Sequence, residues 1–175
     1  MNNENRFLDV TQAEHDILKK VIERYFPNRG YEDILFKLIF DTKISKVKGT
    51  KYRLAYIKPM NQMNRFLTAL EANREDGYDY CVVICKVLWD VIDEADKIRL
   101  LRHELNHVEL VDGKNPYKTK DHDITEFYSD VEIESKPGGD IRWAERLGTI
   151  LASIEEEEKE QKRQERKNKK KNKGE

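Results

Sequence analysis

His103-Glu104-Leu105-Asn106-His107 places two imidazoles four residues apart, with a carboxylate beside the first. On an α-helix, positions i and i+4 lie on one face, one turn apart. Two rings so placed can bind one zinc ion, while Glu104 reaches a water that the metal activates. The carboxylate takes that water's proton as it attacks a carbonyl, which is the chemistry of a metallohydrolase.

Such a site needs a third protein ligand. The nearest donors lie in Lys120-Asp121-His122-Asp123-Ile124-Thr125-Glu126, where His122 follows His107 by fifteen residues. That length lets the chain leave the first helix, turn at Gly113 and Pro116, and return. With Asp121 as a cap, His122 falls in the first turn of the next helix, where the dipole favours a neutral ring. Glu126 offers the alternative, a His-His-Glu shell, but His122 is the better metal-ligand type. Asp123 is a candidate to hold a ligand ring from behind, or else a solvated acid. Tyr117 and Tyr128 are close enough in sequence to donate to an oxyanion, although each reads better as a core or rim tyrosine.

These side chains need elements to position them. Asp93 is a good N-cap, acids follow it, and the predicted metal-binding helix runs from there to about Val111, before Gly113. Ile98, Leu101, Leu105 and Val108 form an apolar stripe nearly opposite the two histidines, and Leu100 and Leu110 flank the histidine face. Thr11-Gln12-Ala13-Glu14 reads as a capping box opening a helix through Tyr25, which Pro27 to Gly30 stops. Ile34 to Phe40, Tyr52 to Ile57 and Tyr80 to Cys85 read as strands; the last is β-branched and apolar on both faces, so it belongs inside a sheet. Met63, Phe66, Leu67 and Leu70 mark an amphipathic helix over Asn61 to Asn73. Trp89 and Val91 are expected core anchors. A helix near Asp121, including Ile124, Phe127, Tyr128 and Val131, and a last amphipathic helix from Ile141 to Ile154 follow.

Leu101 to Val108 together with Lys120 to Phe127 resembles the phage metallopeptidase family, small zincin-like proteins with H-E-L-x-H-V and a downstream H-D-x-x-x-F element. The upstream order is similar too: a strand such as Cys81 to Lys86, a tryptophan like Trp89, then the metal-binding helix. The resemblance covers residues 30–135 and leaves the N-terminal helix and the charged tail outside. It implies a minimal zincin fold, Zn2+ held by His103, His107 and His122, Glu104 as general base, and a phage-encoded enzyme acting on a peptide or protein. It supplies a reaction class without a particular substrate.

Composition sets the outer bounds. Apolar and charged residues each make up 38% of the chain, so a folded domain must carry a surface dense in charge. The net charge of −1 gives no global pull toward nucleic acid or anionic lipid. No apolar run approaches a membrane span, and the polar start lacks the layout of a signal peptide. Cys81 and Cys85 cannot be a multi-bridge framework; they read as buried free thiols and point to a cytoplasmic, reducing compartment, the host cytoplasm for a phage protein. His15 reads as a surface residue. Beyond Glu155 an acidic block leads into a lysine-rich run without aromatics, able to make weak, salt-sensitive contacts to nucleic acid. Pairs such as Glu158 with Lys162 support a helix there.

The expectation is therefore an α+β, minimal zincin-like domain over residues 1–154. A small sheet of about three strands is packed by an N-terminal helix and the active-site helix, and residues 155–175 form a charged, fraying or disordered helical tail. The expected activity is zinc-dependent peptide hydrolysis. The rival is a phage-encoded interaction protein with a metal site, binding a host partner or nucleic acid through its basic tail.

Overall fold

The computed structural model describes residues 5–47, 51–114, 116–122 and 126–171. After a short strand β1 (Phe7–Asp9), Thr11 opens helix α1 (Gln12–Tyr25) with the capping box read from the sequence. The Thr11 N–H donates to Glu14 and the Ala13 N–H to the Thr11 hydroxyl, which satisfies donors that a helix start leaves open. Strand β2 (Phe36–Asp41), a ribbon of β3 (Lys46–Val47) and β4 (Lys51–Tyr52), strand β5 (Ala55–Pro59), helix α2 (Gln62–Ala72) and strand β6 (Tyr80–Cys85) follow.

A four-stranded sheet runs in the order β1-β2-β6-β5. In it β6 is parallel to β2, with Phe36 opposite Tyr80, and antiparallel to β5, with Ala55 opposite Ile84. Paired on both edges, β6 is buried at every position, the environment that an unbroken β-branched run demands. The fourth strand, β1, is too short and exposed to leave an alternating pattern. The strand expected from Tyr52 to Ile57 is split, because the Arg53 N–H turns to Ser45 O and the Cys85 N–H takes Leu54 O. Phe36, Leu38 and Phe40 alternate toward one face beside Tyr80, Val82 and Ile84, and that face carries the core. Cys81 and Cys85 are free and buried.

Helices α3 (Lys86–Trp89) and α4 (Glu94–Asn106), a hairpin of β7 (Val108–Leu110) and β8 (Tyr117–Thr119), and helices α5 (Tyr128–Glu134) and α6 (Trp143–Lys171) complete the chain. Leu101 and Leu105 of α4 and Leu147 and Leu151 of α6 join the core. Trp89 is buried and donates to Glu14, whereas Val91 points outward and anchors nothing in the core. The metal-binding helix is shorter than predicted. Tyr31 donates to Leu105 O and Val108 O, taking up carbonyls at the helix end, and Val108 to Leu110 pair with β8 instead. The helix expected near Asp121 begins at Tyr128; Asp123 and Ile124 lie outside the described residues. The last helix runs past Ile154, supported by Glu155–Lys159 and Glu158–Lys162 pairs.

Helix α2 departs from expectation in orientation. Met63, Phe66, Leu67 and Leu70 are 70%, 77%, 67% and 96% exposed. Its polar side holds it down instead: Arg65 reaches Asp76 and Asp79, and Glu71 pairs with Lys37. Gly77, at φ +68°, closes against this side, where a Cβ would lie 2.0 Å from Arg65 O. No described helix is long and apolar enough to cross a membrane.

Candidate metal centre

Helix α4 sets the first two rings. Asp93 caps it through the Asp96 N–H, and His107, the residue just past its end, still keeps helical backbone angles, φ −71° and ψ −18°. His103 and His107 therefore keep the one-turn relation although the helix stops between them and Val108. Their ring centroids are 5.4 Å apart.

The β7–β8 hairpin returns the third ring. Val108 pairs with Thr119, so the next rung pairs His107 with Lys120. The Lys120 N–H donates to His107 O, and the His107 Nδ1–H donates to Lys120 O at 2.7 Å. Two residues later comes His122, whose Nε2 lies 2.9 Å from His103 Nε2. The return is a hairpin, and the next described helix, α5, begins at Tyr128, so His122 does not fall in its first turn. The side chains of His103, His107 and His122 offer nitrogens within 4.8 Å of one another.

Each ring is held. A carbonyl only accepts, so His107 must carry its proton on Nδ1 and present Nε2 as a lone pair. His103 Nδ1 lies 3.1 Å from Asp130 Oδ2. Burial works against the Asp130 carboxylate, but its bond to His103 and the Arg102 charge hold it below the usual range, so it accepts from His103. Phe127, fully buried, contacts all three rings with centroids 5.4, 4.7 and 5.0 Å away. Trp143 closes on His103 at 5.6 Å.

Burial and the His103 charge lower His107 and His122, which leaves both rings neutral and able to donate to a metal. Burial also pulls His103 down, but Asp130, Glu126 and Glu104 outweigh it and bring the ring to about 9. A metal at His103 Nε2 must compete with that proton. The donor set fits a zinc ion: three imidazole nitrogens in one place, and two rings fixed from behind through Nδ1.

Glu126 sits differently. Its Oε2 is buried, has no hydrogen-bond partner among the described residues, and lies 3.2 Å from His103 Nδ1, whose proton goes to Asp130. His103, Glu126 and Asp130 also form a donor group. A metal there would have to displace the proton shared with Asp130 and break into its pairing with Arg102, so the three-imidazole group is the better site.

Glu104 is 5% exposed and lines a cleft of about 990 Å³. Burial raises its carboxyl to about 7, against the lowering pull of His103, the Ile57 backbone and Arg53. The cleft runs between β5 and α6, with Arg53, Tyr56, Leu100, Trp143 and Gly148 on its walls. Tyr117 and Tyr128 are absent from that lining. Tyr117 packs on Tyr80 beneath Arg65, and Tyr128 is 62% exposed. His15 belongs to no donor group among the described residues.

Asp130 is the residue that the sequence reading missed. Its Oδ1 accepts from Arg102 Nε at 2.7 Å and from Asn106 Nδ2 at 3.2 Å, while Arg102 also reaches Glu134 at 2.7 Å. Arg102, Asp130 and Glu134 are all buried. The available signal was Asp130 and Glu134 at i, i+4 facing Arg99 and Arg102 at i, i+3, spacings that also suit a solvated surface.

A family model described as "Putative phage metallopeptidase" matches residues 9–155. No curated protein and no solved structure matches the chain. The matched span takes in the whole stretch from His103 to Trp143, with every ring and carboxylate of the cluster; the chain belongs to this phage metallopeptidase family.

Proposed function

We propose that the chain is a zinc-dependent metallopeptidase in which His103, His107 and His122 hold the ion and Glu104 is the general base. The observation that carries this reading is the convergence of three imidazoles, two of them fixed through Nδ1, beside a buried carboxylate in a cleft. A zinc ion bound there supplies a Lewis acid, polarising a substrate carbonyl and making water acidic enough to lose a proton near neutral pH. Glu104, buried beside His103 on the cleft wall, would take up that proton and pass it to the leaving amine. Leu100 and Trp143 give the cleft apolar walls beside Arg53 and Tyr56, a setting suited to a peptide or protein segment. On this reading residues 1–154 are the catalytic domain, and the charged helical extension beyond them takes no part in the chemistry. Two buried free thiols suit work in a reducing host cytoplasm.

Glu104→Gln tests the assignment. The variant keeps its metal content, while hydrolysis of an unfolded protein substrate falls by roughly 10²–10⁴-fold. Undiminished hydrolysis in the metal-loaded variant would remove Glu104 from the mechanism.

A further inference from the structure

We infer that the outer face of α2 is a self-association surface, through which two copies of this chain pair about a twofold axis. Met63, Phe66, Leu67 and Leu70 lie at i, i+3, i+4 and i+7, so they share one helix face, and each is at least two-thirds exposed. At about 200 Å² for a fully exposed side chain of this size, the stripe presents on the order of 600 Å² per chain, at the upper limit of patches on monomeric surfaces. A pair would bury about 1,200 Å², the lower bound for a specific stable interface.

The choice of a second copy follows from symmetry and charge. A twofold interface needs a patch that complements itself. The stripe has this property when two α2 helices cross antiparallel with the axis between Phe66 and Leu67. Met63 then faces Leu70 of the partner subunit, and Phe66 faces Leu67 of the partner subunit. The charged side chains of α2 are Arg65 and Glu71, and both are engaged within their own chain, with Asp76 and Asp79 and with Lys37. Gln62 falls opposite Glu71 of the partner subunit, so the pairing sets no like charges against each other. The same lack of free charge gives an oppositely charged partner nothing to select. A lipid surface is disfavoured too, since interfacial helices carry a basic polar face and α2 has only the committed Arg65.

The surface lies on a different helix from the metal cluster, so its test does not depend on catalysis. Sedimentation of the full chain through the micromolar range should show a dimer. Phe66→Glu and Leu70→Glu should each raise the dimer dissociation constant by roughly thirtyfold or more, with unchanged helical circular dichroism. A Met63→Cys/Leu70→Cys double variant should form an intermolecular disulfide dimer on mild oxidation. Its two positions on one helix are about 10.5 Å apart, beyond the ~7 Å limit for a bridge within the chain. A wild-type monomer throughout, a dimer that persists in both glutamate variants, or a double variant that fails to cross-link would overturn the inference.

Discussion

At the scale of the residue, the question is what keeps three imidazoles facing one point. His107 is locked by a backbone carbonyl, which no substitution at Lys120 removes, whereas His103 depends on one carboxylate. Asp130→Asn should therefore weaken zinc binding by about 10–100-fold, read by competition with a chelator under conditions where the variant is folded by circular dichroism. An unchanged zinc affinity would mean that Asp130 does not set the His103 ring. The histidine pair was legible because i, i+4 spacing is a local property of a helix. Asp130 was not legible, since its partner His103 lies 27 positions away and only the packing of α5 on α4 joins them. Phe127 was visible as an apolar position of an expected helix and as a letter in the family's downstream element; its role as the wedge between three rings needed coordinates.

Elements carry the next level. Arg102 links α4 to Asp130 and Glu134 of α5, and Arg99 and Arg146 extend the network to Asp96 and Asp140. Arg102→Met leaves Asp130 and Glu134 buried without their main cation, which should cost about 3–5 kcal/mol at neutral pH. Burial opposes both carboxylates, but bonds to His103, Arg102, Arg99 and the Asp140 N–H hold them below their ordinary values. Their contribution is thus complete above the unfolded carboxylate range and is lost as pH falls through the folded values. The gap between variant and wild type should narrow under acid, as urea midpoints at several pH values would register; a gap that widens would contradict the network. The start of α1 and the whole of β6 were readable, because a capping box and a β-branched run act within a few residues. The end of α4 was not. Val108 to Leu110 continue an apolar pattern that suits either a helix or a strand, and Tyr31, far back in the chain, decides between them.

For the molecule as a whole, the class was legible and the layout less so. The α+β architecture follows from where apolar runs and helix caps fall, but the parallel pairing of β2 with β6 and the outward turn of α2 depend on contacts between distant segments. The three-imidazole site joins these levels, since the sheet seats α4, the hairpin delivers His122, and α5 braces His103. Zinc analysis of purified wild type and of His103→Ala, His107→Ala, His122→Ala and Glu126→Ala variants tests it most directly. One zinc per chain in wild type and in the Glu126 variant, with loss in all three histidine variants, is the expected pattern. Zinc retained without His122 but lost without Glu126, or no zinc in the wild type even after supply of the ion, would contradict the proposed centre.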